Sequence, residues 1–358
     1  MLLPGCLKEI HRRVAELIVV DTGSRDATPE IAKRFGARVI FHRWKNDFAE
    51  ARNVYLQAAH LPWILVLDAP ERIARRDVPR LARLIRGDPA VCYNFPVRNY
   101  TDTFNRLWGW HSNRGEYPNE ERASTACGWF SSGAIRLFPR SEKIFYEGFR
   151  HAAVGPSAQR AGIPIRQSGI PLHDVECLRG ERWIRAKLRR RLQWMLQALS
   201  SSPDRRETLF DVGRGLFSLG VDDERAAKYL QQAIRLDPRP VEPRQLLGMV
   251  LLTLGRSDKA SEVLQYALRM APHNADILCL LGIAQLCQED LSTAAVTLRR
   301  SLALHPDHPI AWNGLGVAHE AQGKRTQAIA SYRRAVHLHP RYREARRNLA
   351  SILARENS

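Results

Sequence analysis

The sequence predicts two folds in succession: an α/β domain made of Rossmann-like strand–helix–strand units, and then an all-α solenoid of repeated helix pairs. Three observations lead to this prediction. Two apolar segments near the N-terminus, residues 16–21 and 63–68, each end on an aspartate. The chain after residue 206 repeats with a constant period of about 34 residues. With 358 residues, of which 44% are hydrophobic, it is long enough to fold around two cores.

The first strand is predicted at residues 16–21, where an apolar run leads into Asp21. A continuous apolar run of this length is typical of a buried parallel strand. Residues 22–28 form a loop, and Pro29 then occupies the first position of a helix, where its fixed φ is favourable. Residues 38–41 form the next strand. The segment is therefore a strand–loop–helix–strand unit, the building block of doubly wound sheets.

A second unit follows the first. A helix is predicted from Asp47 to about Ala59, and the apolar run at residues 63–68 is the next strand, which ends on Asp68. Ligands of open α/β sheets bind beyond the carboxyl ends of the strands. The sequence therefore places Asp21 and Asp68 at a common binding edge, with Arg52 on the intervening helix.

These residue types suit a nucleotide. Two acids and the arginine Arg52 can hold a ribose, a base and a pyrophosphate, and the Gly23-Ser24 turn lets the backbone approach the ligand closely. A structural alternative is that Asp21 and Asp68 are ordinary strand-end acids that cap the helices after them.

Three segments match, in order and spacing, the motifs of family 2 glycosyltransferases: residues 19–28 (VVDTGSRDAT), 47–53 (DFAEARN) and 63–69 (WILVLDA). The N-terminal part resembles that family, which implies the nucleotide-diphospho-sugar transferase fold. The resemblance also implies transfer of a sugar, with inversion, from a nucleotide-diphosphate donor. The residues that it implies for nucleotide-sugar binding are Asp21 at the nucleoside, Gly23 and Ser24 in the turn, Arg52 with Asn53 at the nucleotide, and Asp68 at the ribose or the metal.

The family's metal motif, Asp-x-Asp followed by glutamate, reads Asp68-Ala69-Pro70-Glu71 in this chain. The resemblance implies a divalent cation, manganese or magnesium, held by Asp68, Glu71 and His173. A hard cation needs oxygen ligands, and the side chain of Pro70 has none. Two expectations stay open: Glu71 replaces the lost acid, or arginines neutralise the diphosphate as they do in other phosphoryl sites.

Residues 133–140 and 145–151 resemble the family's acceptor side. The His-Glu pair of relatives falls on His151 and Ala152, so the acid that would deprotonate the acceptor is missing from that position. No catalytic residue is assigned on this basis. Four carboxylates of the region are candidates for the base: Glu116, Glu120, Glu121 and Glu147.

Too few residues precede Glu16 for both the first strand and the first helix of the family's fold. Relatives begin with an apolar strand and a loop before the helix that corresponds to residues 3–13. The resemblance therefore implies an N-terminally truncated transferase domain over residues 1–178. Either translation starts further upstream, or the sheet lacks an inner strand, whose exposed neighbours would need to be covered.

Residues 179–205 are expected to link the two domains through an amphipathic helix. Apolar side chains recur there at helical spacing beside several arginines. The stripe consists of Ile184, Leu188, Leu192, Met195 and Leu199. Packing against the first repeat is the favoured interpretation, and a basic helix lying on an anionic membrane surface is the alternative.

The C-terminal domain is expected over residues 206–358. Prolines recur at the repeat period, and the same step relates Leu-Gly pairs and two columns of small residues. The proline column is Pro238, Pro272, Pro306 and Pro340. The pattern of Trp312, Leu315-Gly316, Ala328, Tyr332 and Pro340 resembles the tetratricopeptide repeat. It implies a surface for a protein or peptide partner, with packing on the chain's own catalytic domain or self-association as the alternative.

The composition restricts the remaining possibilities. The net charge of +18 predicts a surface that attracts anions. Because no basic stretch is interleaved with aromatic residues, nucleic acid is not expected as a partner. The six cysteines form no C-x-x-C pair, and the N-terminus carries no apolar signal segment, so a soluble, cytoplasmic protein is expected.

Two functions of different class remain on the sequence alone. The first is a bacterial glycosyltransferase whose repeats recruit the acceptor or a partner. The second is a transferase relic without activity that acts as a repeat-based scaffold. Pro70, Ala152 and the short N-terminus favour the relic, whereas Asp21, Arg52 and Asp68 favour the enzyme.

Overall fold

A computed structural model shows an α/β unit and a helical unit. It describes residues 2–88, 90–102, 110–113, 116–117, 125–148, 152–201 and 205–355. By their internal contacts, the first unit comprises residues 1–101 and 115–178, and the second comprises residues 102–114 and 179–358. The prediction of an α/β region followed by a run of repeat helices is confirmed. The exact boundaries at 178 and 205 stay predictions.

The strands of the first unit form two sheets. The strands of this unit are β1 (Ile18–Asp21), β2 (Arg38–Phe41), β3 (Trp63–Leu65), β4 (Glu71–Ile73), β5 (Cys92–Thr101), β7 (Gly128–Pro139), β8 (Ile165–Gln167) and β9 (Leu172–Asp174). Strand β6 (Trp110–Ser112) belongs to the second unit. Strands β1 and β2 form a parallel pair. The larger sheet has the order β3-β7-β5-β9-β4, with β8 also beside β5.

The first predicted strand–helix–strand unit is present as β1, helix α2 (Thr28–Arg34) and β2. The second departs from the predicted pattern, because β3 pairs antiparallel with β7. Strands β1 and β3 therefore belong to different sheets, and Asp21 and Asp68 do not follow strands of a single sheet as predicted. The ladder continues past β3, since the backbone N–H of Val66 donates to the carbonyl of Arg136 at 2.7 Å. This pairing carries the chain towards Asp68 beside the middle of β7, and it brings Arg136 to that end of β3.

Helices cover both faces of the larger sheet. They are α1 (Leu3–Ile10), α3 (Phe48–Ala58), α4 (Val78–Ile85) and α5 (Gly155–Arg160), whereas α2 packs on β1 and β2. Leu137 belongs to a core with Leu81 of α4, whereas its neighbour Phe138 belongs to a core with Ala49 of α3 and Ala158 of α5. Successive residues of a strand point to opposite faces, so one strand can supply both cores. The unit is a three-layer α/β arrangement.

In the second unit, helix α6 (Glu181–Ser201) packs against helix α7 (Arg206–Leu219). Leu192 and Met195 of α6 are buried in one core with Val212 and Leu216 of α7. This packing uses the apolar stripe that the sequence shows. It therefore favours packing on the first repeat over insertion of the same stripe into a membrane surface.

The repeat helices follow in antiparallel pairs. After α7 they are α8 (Asp223–Leu236), α9 (Glu242–Thr253), α10 (Ser257–Met270), α11 (Ala275–Cys287), α12 (Leu291–Leu304), α13 (Pro309–Ala321), α14 (Arg325–Leu338) and α15 (Arg343–Ala354). Gly255 and Gly323, in the turns inside two pairs, both have φ of 71°, a conformation that side chains rarely adopt. Glycine is therefore favoured in these two turns, each of which joins the two helices of one pair.

The columns of small residues that recur at the repeat period lie at the crossings between helices. The first column, Ala226, Ala260, Ala294 and Ala328, is completely buried. The glycines of the Leu-Gly pairs, Gly248, Gly282 and Gly316, form a further column on the first helix of three pairs. An ideal Cβ on Gly248 or Gly282 would lie 2.5 or 2.6 Å from a buried leucine of the second helix. Close approach of the paired helices therefore depends on the absence of a side chain there.

Within the described part of the chain, no helix combines the length and the apolar character that a membrane crossing requires.

Candidate functional site

The turn after β1 is organised by Asp21. This residue is 4% exposed, and its Oδ1 accepts hydrogen bonds from the backbone N–H groups of Gly23 and Ser24, both at 2.8 Å. The turn needs glycine at position 23, where φ is 113°. Burial alone would raise the pKa of Asp21, but the hydrogen bonds from Ser24 and Gly23 hold it below its usual value. Asp21 is therefore an ionised acceptor.

The second oxygen of Asp21 has a different environment. Oδ2 is buried, and none of the residues that the structure describes gives it a hydrogen bond. A buried acceptor without a donor destabilises a protein by about 1–3 kcal/mol. An N–H or O–H donor of a ligand would satisfy this oxygen.

Asp68 lies between two arginines at the end of β3. Arg52 Nη2 donates to Oδ1 at 2.9 Å and to Oδ2 at 3.1 Å, and Arg136 Nη2 donates to Oδ2 at 2.7 Å. Burial would raise the pKa of Asp68, but the charges of Arg136 and Arg52 hold it below its usual value. The guanidinium of Arg52 also donates to the carbonyl of Ala152 at 3.2 Å.

Glu71 belongs to the same cluster and is more deeply buried. Its side chain is 3% exposed, Oε1 accepts from Arg136 at 2.5 Å, and Oε2 accepts from the backbone N–H of Asp68 at 2.9 Å. Burial and the charge of Asp68 raise the pKa of Glu71 in spite of Arg136. Glu71 therefore fixes the loop that carries Asp68 and anchors Arg136.

His173 lies on the other face of the sheet. In the ladder between β4 and β9, Arg72 stands opposite His173, and Glu71 stands opposite Asp174. Cross-strand partners share a face and successive residues alternate, so His173 and Glu71 point to opposite faces. The ring of His173 is buried against Tyr100, whose hydroxyl oxygen lies 2.9 Å from Nδ1.

Asn53 connects α3 with the loop after β7. Its Nδ2 donates to the carbonyl of Tyr146 at 3.0 Å, and its Oδ1 accepts from the backbone N–H of Tyr146 at 2.8 Å. Both polar groups of the amide are engaged. This arrangement orients the neighbouring Arg52, and a direct contact between Asn53 and a nucleotide stays a prediction.

The residues implied for a divalent cation do not fit one as they stand. Asp68 and Glu71 are paired with arginines, and His173 points away from them. Among the described residues, no group of three His, Cys, Asp or Glu side chains is arranged to hold a metal ion. The structure thus brings Asp68 together with Glu71, Arg52 and Arg136, and keeps His173 apart.

The candidate bases on the acceptor side divide into two groups. Glu116 is paired with Arg98 Nη1 at 2.7 Å, and Glu147 is paired with Arg160. The other two candidates, Glu120 and Glu121, and the predicted acceptor-side His151 lie outside the described residues. No base is assigned by the geometry.

Arg136 is the site residue that the sequence reasoning did not single out. It stands in β7 between Ile135 and Leu137, and its side chain is 7% exposed. An arginine inside an apolar strand segment is itself a signal, because a buried guanidinium requires carboxylate or carbonyl partners. That signal indicates that Arg136 needs acidic or carbonyl partners, but it does not identify them.

The buried ring of His173 gives a prediction about pH. Burial, together with Arg98 and Arg76, lowers the pKa of His173 to about 4. The unfolded chain takes up this proton near pH 6.5, so lowering the pH from about 6.5 to 4 should reduce the free energy of unfolding by up to about 3 kcal/mol.

The pKa can be measured in the full chain labelled with ¹³C at the histidine rings. The resonance that is missing from the His173→Asn variant identifies the group, and we expect it to stay in its neutral position from pH 7.5 to pH 5. A titration midpoint near the ordinary value of about 6.5 would contradict the prediction.

Family models match both parts of the chain. Residues 2–145 match Glycosyl transferase family 2. Four overlapping stretches that together span residues 222–358 match the Tetratricopeptide repeat.

Curated relatives reflect the same two parts. A TPR repeat-containing protein of Synechococcus elongatus is 37% identical over 130 residues, which are 28% of this chain and 32% of that protein. The SPbeta prophage-derived glycosyltransferase SunS of Bacillus subtilis is 24% identical over 232 residues, 64% of this chain and 49% of that protein. The chain therefore spans about a third to a half of the length of these bacterial relatives.

Among solved structures, TTC0263, a thermophilic TPR protein of Thermus thermophilus, aligns with a TM-score of 0.42 and 22% identity. The alignment covers 48% of this chain and 93% of that one. On the family models, this chain combines an N-terminal family 2 glycosyltransferase domain with C-terminal tetratricopeptide repeats.

Proposed function

We propose that the chain is a glycosyltransferase that binds a nucleotide-diphosphate sugar at the carboxyl ends of β1 and β3. The observation that carries the proposal is Oδ2 of Asp21, a buried acceptor of an ionised carboxylate with no donor among the described residues. A nucleobase N–H or a ribose hydroxyl is a donor of the right kind. Binding would satisfy the oxygen that the turn leaves open.

Each of the other residues has a role in this proposal. Asp21 holds the turn through Oδ1, so that Gly23 and Ser24 form a fixed wall for the nucleoside. Arg52 is the positive group for the diphosphate, and Asp68 orients it. The sugar would then pass to the acceptor with inversion, through a base that is not assigned.

We propose that the repeats recruit a protein or peptide, either as the acceptor or as a partner. Met249, Ile283 and Val317 occupy equivalent positions of α9, α11 and α13, one repeat period apart, and all three are half-buried apolar side chains. A partly exposed apolar column along successive helices supports contact with an extended partner. A cytoplasmic location belongs to the same proposal.

The scaffold without transferase activity is the second candidate. It is favoured by Pro70 at the position of a metal ligand and by the engagement of Glu71 with Arg136. The two candidates differ in one measurable property, because only the enzyme needs to bind a nucleotide.

Calorimetric titration of the full chain with UDP and with GDP tests the proposal. We expect micromolar binding of one of the two, and a loss of about ten- to hundredfold in Asp21→Asn. Asparagine keeps the acceptor for the Gly23 and Ser24 amides but places an amide donor where Oδ2 accepts. Asp88→Asn, a carboxylate change in the loop before β5, is the matched control and should bind as the unaltered chain does.

Failure of both nucleotides to bind would leave the scaffold as the function. Equal binding by Asp21→Asn and the unaltered chain would remove Asp21 from the nucleoside site.

A further inference from the structure

The carboxylates that stand where the family holds its cation already have partners on every oxygen. Oδ1 of Asp68 accepts from Arg52, and Oδ2 accepts from Arg52 and Arg136. Oε1 of Glu71 accepts from Arg136, and Oε2 accepts from the backbone N–H of Asp68. A cation that used these oxygens would have to share them with donors that already carry positive charge.

The charges of the cluster are balanced without a cation. Two carboxylates face two guanidinium groups, and because burial raises the pKa of Glu71, the positive charge at least equals the negative charge. Arg136 cannot move into water easily, because its side chain is only 7% exposed. A divalent ion at Asp68 and Glu71 would therefore place further positive charge beside a buried guanidinium, which is strongly unfavourable.

Among the described residues, no third histidine, cysteine, aspartate or glutamate completes a metal-binding group at this place. Position 70 is proline, and the strand register turns His173 to the opposite face of the sheet. Manganese and magnesium prefer about six oxygen or nitrogen ligands, of which the protein supplies several in a stable site. The carboxylates of Asp68 and Glu71 therefore suit a guanidinium partner better than a hard cation.

Of the two arginines in the cluster, Arg52 is the one that can contact a ligand. Its side chain is 23% exposed, whereas that of Arg136 is 7% exposed. Asp68 and the carbonyl of Ala152 hold its guanidinium from two sides. Such a preorganised guanidinium matches the geometry of phosphate oxygens.

We infer that this site binds the diphosphate of its donor without a divalent cation, with Arg52 as the positive group that contacts it and Arg136 as the residue that positions Asp68 behind it. The inference rests on the proposed function, because it concerns the same donor.

The test measures the cation and the nucleotide separately on the full chain. The concentration of free Mn²⁺ is measured by electron paramagnetic resonance while Mn²⁺ is added to the protein, first without a nucleotide and then with UDP or GDP. The nucleotide is titrated calorimetrically in EDTA and in excess Mn²⁺. We expect no stoichiometric uptake of Mn²⁺ by the protein alone, and dissociation constants in the two solutions that agree within about threefold.

Arg52→Gln is the informative variant, and Arg166→Gln, which also removes one exposed positive charge but lies on β8, is its control. We expect Arg52→Gln to weaken nucleotide binding in EDTA by about ten- to hundredfold, and Arg166→Gln to leave it unchanged. Binding that is equal in Arg52→Gln and Arg166→Gln would overturn the role of Arg52.

The remaining outcomes separate this inference from the proposed function. Nucleotide binding that requires Mn²⁺, or Mn²⁺ uptake that disappears in Asp68→Asn, would overturn the inference and leave the proposed function standing. An absence of nucleotide binding in both solutions would overturn both together.

Discussion

Replacement of Arg136 by methionine is expected to destabilise the α/β unit by about 3–5 kcal/mol. Arg136 pairs with Asp68 and with Glu71, and its own side chain is 7% exposed. Methionine has a similar length and fills the space, but it leaves the carboxylate of Glu71 buried without its counter-charge. Because burial already raises the pKa of Glu71, this carboxyl group must either stay charged without a partner or take up a proton, and the loss comes from that electrostatic cost and not from a cavity.

Hydrogen exchange of backbone amides in β5 and β7 measures this loss, since it reports the free energy of opening of each segment. The double variant Arg136→Met/Glu71→Gln removes the unpaired charge and should recover more than half of the loss. Arg160→Met is the control at an exposed pair, where we expect little or no change in the free energy of opening. A loss in Arg136→Met that Glu71→Gln does not reduce would contradict the electrostatic explanation.

The repeats could be predicted closely because every constraint on them is local and repeats. Gly255 and Gly323 stand between helices that are adjacent in sequence, and the alanine columns pack against a helix that is a near neighbour along the chain. A single repeat period therefore contains the contacts as well as the elements. The packing of α6 on α7 followed from the same kind of local pattern.

The α/β unit could be predicted only up to the ends of its strands. The positions of Asp21 and Asp68 follow from where the apolar runs stop. The pairing of β3 with β7, by contrast, joins Leu65 to Leu137, and no local pattern indicates which distant strand lies beside β3. The role of Arg136 depends on that pairing, so it could not be foreseen.

Whether the predicted metal ligands can meet depends on the register of two strands, which is a still finer feature. A shift of one residue in the register of β4 and β9 would turn His173 to the face of Glu71, because side chains alternate along a strand. The family motif indicates which residue types occur, but it does not fix this register in the chain. The structure supplies it, with Arg72 opposite His173.

Replacement of Gly282 by alanine is expected to destabilise the repeats by about 2–3 kcal/mol. In an exposed helix the same change would stabilise by about 1 kcal/mol, because alanine is the better helix former. At Gly282 the new Cβ would lie 2.6 Å from Cγ of Leu298, which is completely buried in the partner helix. Steric overlap should therefore reverse the sign that propensity alone predicts.

Two further variants separate steric overlap from other causes: a control at Gly215 and a second background that lacks the Leu298 side chain. Hydrogen exchange of backbone amides measures the result, in α7 for the control and in α11 and α12 for the Leu298 background. Gly215→Ala also introduces a methyl group inside a repeat helix, but its nearest neighbour is the flexible end of Met195 at 3.2 Å, so we expect a change near zero. In the Leu298→Ala background the space is already free, and Gly282→Ala should then be neutral or stabilising. A loss of the same size in both backgrounds would mean that the glycine serves the backbone of α11 and not the crossing of the paired helices.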